Sequence, residues 1–163
     1  MNNKGDRVCD RLYFIMPYRL HTRLHLPVPR DRVFAFFAAA ENLGRITPPE
    51  LGFQIRSATP VDMAAGALIE YTIKLWGIPL RWQTRISDWS PPARFVDEQL
   101  RGPYKTWVHT HRFLSVDGGT DIDDEVVYEL PFGIIGRIVA PLVRLQLARI
   151  FRYRQAQVAR LIV

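Results

Sequence analysis

A single cysteine, Cys9, stands among 163 residues, so neither a disulfide framework nor a pair of Cys-x-x-Cys metal knuckles can form. A reducing cytoplasm is the compartment this suggests. Long apolar runs are scarce as well. The run near the start, Leu12 to Met16, is too short for a membrane span or a signal-peptide core, and no small-residue cleavage site follows it. Integral membrane contact is therefore not expected. Lysine and arginine outnumber aspartate and glutamate 22 to 16, for a net charge of +6. The basic residues are scattered and form no stripe, which argues against a nucleic acid partner. Also missing are a Gly-x-Ser-x-Gly elbow, a Gly-rich phosphate loop and a His-Glu-x-x-His helix. No cofactor is expected.

The remaining composition, 48% hydrophobic and 23% charged, is that of an ordinary globular domain, and the length suits one core. Residues 1–17 read as a leader, either disordered or a misassigned start with Met16 as the initiator. Residues 18–163 read as one domain. Leu20, Thr22, Leu24 and Leu26 alternate with Arg19, His21, Arg23 and His25, the mark of a half-buried strand over 18–26 with both histidines facing water. Pro27 and Pro29 close it. A short helix is expected from Arg30, with Asp31 in its first turn, and a second over Glu41–Ile46, stopped by Pro48-Pro49. Strands follow at 53–59, 66–76, 79–89 and 93–101, broken at Pro60, Gly77, Pro91-Pro92 and Gly102-Pro103.

Residues 104–130 read as two strands joined at Gly118-Gly119, a pair that supplies the positive φ angles of a two-residue turn. Pairing Asp117 with Thr120 sets Phe113 opposite Asp124, His111 opposite Val126, His109 opposite Tyr128 and Trp107 opposite Leu130. These eight residues then share one face. The other face of the second strand carries Asp121, Asp123, Glu125 and Glu129, which belong in water, so the Trp107/His109/His111/Phe113 face looks inward. After Pro131-Phe132-Gly133 the period becomes helical. Ile135, Ile138, Val139, Leu142, Val143, Leu147, Ile150, Phe151, Val158 and Leu161 form a stripe on a helix over 134–161, with Pro141 kinking it or ending a first segment. Ile138, Leu142, Ile150 and Phe151 should be buried. One strand, two short helices, six strands and a long helix make an α+β domain, the helix closing one face of an antiparallel sheet.

That order, with Pro29-Arg-Asp-Arg-Val-Phe-Ala-Phe-Phe37, Glu41-Asn-Leu-Gly-Arg-Ile-Thr-Pro48, Gly102-Pro-Tyr-Lys-Thr-Trp-Val-His-Thr-His-Arg-Phe113 and Leu130-Pro-Phe-Gly133, resembles the helix-grip fold of the START-like, or SRPBCC, superfamily. The last two stretches resemble an uncharacterised bacterial ligand-binding group within it. The resemblance implies a seven-stranded antiparallel sheet curved around the long C-terminal helix, two short helices after strand one, and a cavity between sheet and helix. Lipids, steroids, quinones or polyketides bind there in such proteins.

Inner faces fit a cavity or a solid core, and for most single residues the core reading is the better one. On strand 66–76, Ile69, Tyr71, Ile73 and Leu75 share a face, and on 79–89 Leu80, Trp82, Thr84 and Ile86 do. The candidate ligand-binding set is Tyr71, Trp82, Trp107, His109, His111, Asp124 and Tyr128. If a cavity exists, its aromatic and histidine members should touch a common void of roughly 300 Å³ or more. Asp124 lies diagonally beside His111 in the expected register, and a buried carboxylate needs a partner. The pair is then a structural lock, a polar patch in a pocket, or the acid/base couple of a catalyst, His111 and Asp124 being the catalytic candidates. A metal is not expected, since Trp107 and Phe113 flank the two histidines and leave no third ligand on the strand. Whether Phe95, Asp97 and Gln99 or their neighbours face inward is open. Three functions follow. The first is binding or carrying a small hydrophobic ligand. The second is a cyclase or dehydratase using a His or Asp. The third is a peripheral membrane or protein-interaction module using the arginine-rich final helix. The third conflicts with the need of that apolar stripe to close the sheet.

Overall fold

The computed structural model describes residues 17–163; the expected leader lies almost wholly outside them. The architecture is the helix-grip one. Seven strands run β1 Tyr18–Leu26, β2 Gln54–Ile55, β3 Leu68–Leu75, β4 Ile78–Ser90, β5 Arg94–Arg101, β6 Thr106–Val116 and β7 Gly119–Glu129. They form one antiparallel sheet in the order β1-β7-β6-β5-β4-β3-β2. Helix α1, Arg30–Ala38, a 3-10 segment, Ala40–Ile46, and a 3-10 turn, Pro49–Leu51, separate β1 from β2, and helix α2 spans Ile134–Ile162. The expected strand at 53–59 shrinks to β2. Its ladder ends because the amides of Arg56 and Ser57 both donate to the one carbonyl of Glu70.

The inward faces are those the alternation indicates: Ile69 and Ile73 on β3, Trp82, Thr84 and Ile86 on β4, and Trp107, His109, His111 and Phe113 on β6 are buried. Phe34 of α1 packs on the sheet at β5 and β6, with its ring 5.4 Å from Phe113 and 6.1 Å from Phe95.

The β6–β7 register differs from the expected one. Val116 pairs with Gly119, so the two turn residues are Asp117 and Gly118. Gly118 takes the positive φ, 80°, while Gly119 is strand. A Cβ on Gly119 would lie 2.0 Å from the Leu26 carbonyl oxygen, so glycine is there to let the end of β1 close over β7. The slide is two residues and keeps every side chain on its face. It sets His111 directly opposite Asp124, His109 opposite Val126, Trp107 opposite Tyr128 and Phe113 opposite Ile122.

Asp123 also departs from expectation. It is buried, not solvated, under His21 (2.8 Å), Arg23 (3.3 Å) and Arg112 (3.1 Å). Burial opposes its charge, but these bonds hold its carboxyl below the ordinary range. His21 and His25 remain half exposed, and each is 2.8 Å from a carboxylate, Asp123 and Asp121 respectively. The outer face of β1 and β7 is thus an ion-pair lattice.

Helix α2 runs unbroken through Pro141. Its buried face is Gly136, Ala140, Val143, Leu147, Phe151, Val158 and Ile162. Small residues that a hydropathy stripe passes over begin that face, because the helix starts tight against the preceding loop. A Cβ on Gly136 would meet the Pro131 carbonyl oxygen at 2.5 Å. The seam is therefore rotated from the expected one. Phe151 is buried and Ile150 half-buried, but Ile138 and Leu142 are 73% and 54% exposed, contrary to expectation. Among the described residues, no helix is long and apolar enough to cross a membrane.

Candidate functional site

Between the concave sheet face and α2 lies a cavity of about 150 Å³, half the expected lower bound. Tyr71, Trp82, Trp107, His109 and His111 all line it. Two expected members do not. Asp124 sits behind the histidines, and Tyr128 faces an open depression with Arg19, Pro141 and Arg144 on the other side of α2. A second cavity of about 190 Å³ adjoins the first, with Leu75, Tyr104, Leu147 and Ile150 in both walls. The Tyr104 ring, 4.7 Å from Trp107 and 5.7 Å from Trp82, stands between the two chambers.

The walls are aromatic and aliphatic, and the polar groups converge on one spot. His109 and His111, two apart on β6, put their rings side by side with centroids 3.8 Å apart. Phe95 of β5 stacks on His111 at 4.2 Å. Asp97, two residues on, therefore shares the inward face of β5, opposite His109. Its Oδ2 accepts from His111 Nε2 at 3.1 Å and lies 3.5 Å from His109 Nδ1. Behind, Asp124 Oδ1 lies 2.7 Å from His111 Nδ1 and 3.4 Å from His109 Nε2. These last contacts are close but poorly aligned, leaving His109 Nε2, His111 Nδ1 and Asp124 Oδ1 without a directed hydrogen bond. They act as charge contacts.

The result is a ring of alternating carboxylates and imidazoles. Burial opposes the charge of His111, but Asp124 and then Asp97 outweigh it and raise its pKa above the ordinary 6.5. Burial lowers His109 below that value, aided by the neighbouring His111 charge. Of the two rings, His111 carries the proton. Both carboxyls lie below their usual range against burial: Asp97 through the His111 hydrogen bond, Asp124 through the His111 charge. Arg154, in the cavity wall, adds a favourable field at Asp97. Burial and the Asp97 charge push the Tyr71 hydroxyl upward, so it stays a neutral donor. Among the described residues Trp82 Nε1, buried in the cavity wall, has no hydrogen-bond partner, and Thr84 Oγ1, buried beside the Tyr71 hydroxyl, makes no well-directed bond. Buried polar atoms left unpaired cost stability unless something else meets them.

Asp97 is the site residue that sequence reasoning left undecided. Phe95 and Val96 are both buried, so β5 shows no clean in–out alternation. The missed signal was the pairing of a carboxylate with an inward aromatic two residues away. Asp97, His109 and His111 each bring one ligand atom within 4.8 Å of the others, the make-up of a two-histidine, one-carboxylate triad. β5 thus supplies the third ligand that β6 lacks. A cation would have to displace the proton that His111 gives to Asp97.

Comparison with known proteins adds to this picture. The family model described as polyketide cyclase / dehydrase and lipid transport matches residues 26–153. The crystal structure of the Zhui aromatase/cyclase from Streptomyces sp. R1128 superposes with a TM-score of 0.70 at 15% identity, over 88% of this chain and 92% of its own. Protein CV1439 from Chromobacterium violaceum gives 0.70 at 16% identity, over 90% and 98%. TTHA0849 from Thermus thermophilus gives 0.64 at 20% identity, over 86% and 97%. At these identities the likeness is one of fold. No curated protein matches.

Proposed function

Since the chain belongs to the polyketide cyclase/dehydrase and lipid transport family of the SRPBCC superfamily, we propose that it binds a small, largely apolar molecule with a carbonyl or hydroxyl at one end. The observation that carries this is an apolar, aromatic-walled cavity whose polar atoms cluster on one side. Sites of that make-up hold ligands by shape and orient them by a few polar contacts. Trp82 Nε1, Thr84 Oγ1 and the Asp97–His111 pair would take the oxygen. The first chamber admits a ring system of modest size, and a longer molecule needs both chambers. The single cysteine is compatible with a reducing cytoplasm.

Native mass spectrometry of protein purified from its own host tests the proposal, a co-purified hydrophobic molecule being the expected result. Quinones, sterols, fatty acids and aromatic polyketides that neither quench tryptophan fluorescence nor raise the melting temperature would count against it, since a ligand of the folded state stabilises it.

A second reading, a cyclase or dehydratase, is favoured by one observation: the protonated His111 and its acceptor Asp97 both open on the cavity. An imidazolium beside a carbonyl and a carboxylate beside an acidic C–H are the couple such chemistry needs. Turnover of a polyketide that is lost in both His111→Leu and Asp97→Asn would establish it.

A further inference from the structure

The first three turns of α2 are apolar on almost every side, and only one side is covered. Ile134, Ile138, Leu142 and Leu145 recur at helical spacing, and all four are more than half exposed. Beside them stand two aromatic residues in turns, Trp76 (64% exposed) between β3 and β4 and Phe132 (80% exposed) between β7 and α2. Trp76 and Phe132, at φ 49° and 65°, are the only non-glycine residues with positive φ among the described residues. A turn in that region asks for glycine or asparagine, and a bulky ring is its least comfortable occupant. Both rings are largely exposed, so core packing alone does not account for them. Trp76, Phe132, Ile135 and Val139 also edge the second cavity, so the apolar surface surrounds that chamber.

The charge that α2 itself brings to this surface has one sign. After Glu129 the chain has no acidic residue, while α2 carries Arg137, Arg144, Arg149, Arg152, Arg154 and Arg160. Along the exposed face, Ile134, Ile138, Leu142 and Leu145 give way to Arg152 and to Arg149, which pairs with Glu50, with Arg144 on the flank. Apolar side chains that give way to arginines over about 25 Å of helix, at 1.5 Å per residue, match the layering of a bilayer interface. Acyl chains take the first group and anionic headgroups the second. A two-fold contact through the same face would set arginine against arginine if the helices ran parallel, and arginine against Ile134 and Ile138 if they ran antiparallel, and either disfavours self-association.

We propose that this end of the molecule, Trp76, Phe132 and the first three turns of α2, docks onto an anionic lipid bilayer with the second cavity against the acyl region. Exchange of an apolar ligand with the membrane through that cavity would rest on the ligand-binding reading above. The docking itself does not.

Flotation of the full chain with vesicles of phosphatidylcholine, with and without about one-third phosphatidylglycerol, tests it. Binding to the anionic vesicles, with a blue shift of tryptophan emission from Trp76, is expected. The double variant Ile138→Ser/Leu142→Ser, both residues outside the cavity walls, should bind at least tenfold more weakly, with an unchanged melting temperature and unchanged response to any ligand found in solution. Arg144→Glu should weaken anionic binding and flatten its dependence on salt. No binding to either vesicle, or binding that the double variant leaves intact, overturns the proposal. So does a wild-type dimer that Ile138→Lys splits, which makes the patch a chain–chain interface. Vesicle binding without any soluble ligand would instead defeat the ligand-binding reading and leave the docking standing.

Discussion

His111 Nδ1 lies 2.7 Å from Asp124 Oδ1, directly across the β6–β7 ladder, and the other nitrogen of the same ring bonds Asp97 on the far side. One imidazolium thus separates two carboxylates, Asp124 buried and Asp97 partly buried, that would otherwise repel. Buried ion pairs contribute little net stability when complete, but removing one partner is costly because the other is stranded.

The two aspartates should therefore behave differently. Asp124, buried and outside the cavity, has a purely internal role. Asp124→Asn should destabilise by about 1–3 kcal/mol and leave ligand contacts in place. Asp97→Asn sits in the cavity wall, so it should cost less stability but weaken any ligand whose oxygen meets the Asp97–His111 pair. Urea unfolding and ligand titration of both variants check this. Equal effects on binding would mean that the ring works as one unit.

The pH dependence has a definite sign. A pKa raised in the folded state gives stability that is present below the unfolded value, 6.5, and lost as pH rises through the folded value. His111→Gln should therefore be most destabilising near about pH 6, and the gap to wild type should narrow toward about pH 9. On the acid side the depressed Asp97 and Asp124 give stability that is lost as pH falls through their folded pKa values. His109, held neutral, adds to that loss because only the unfolded chain takes up its proton freely below 6.5. Denaturant midpoints across this range, for wild type and His111→Gln, measure both limbs.

The two turn glycines differ in kind. Alanine at Gly118 meets open space and costs only the strain of φ +80°, about 1–2 kcal/mol. Alanine at Gly119 drives a methyl into the Leu26 carbonyl and should cost about 3 kcal/mol or more, read as a melting-temperature difference.

The facing of β1, β3, β4, β6 and β7 was legible because each has one wet and one dry side. The hairpin register was not, because a Gly-Gly pair reads as a turn whether or not its second glycine is needed for clearance under β1. β5 was illegible because Phe95 and Val96 are buried on opposite faces, so its pattern does not announce Asp97. In α2 the period was legible but not which apolar arc the sheet covers. Gly136, tight against the Pro131 carbonyl, and the buried Ala140 weigh little in hydropathy, while Ile138 and Leu142 weigh heavily and stay outside.

Tyr104 offers the sharpest test of how much space the fold has. It is half-buried and its side chain belongs to both cavity walls. Its hydroxyl is pushed upward, by burial first and then by Tyr128, so it stays neutral and carries no charge that the site needs. Tyr104→Ala removes the ring between the chambers and should cost about 2–4 kcal/mol, as large-to-small changes in cores do. The merged space then enters the range of ordinary ligand sites, roughly 300 Å³ and above. A long apolar ligand, such as a fatty acid, should bind more tightly to the variant relative to a compact aromatic one, as read by thermal shift over each protein's own baseline. If both proteins rank the two ligands alike, Tyr104 already swings aside in the wild type and the chambers are one site. If neither ligand shifts the variant, the enlarged cavity has collapsed onto itself, and the space between sheet and helix is core.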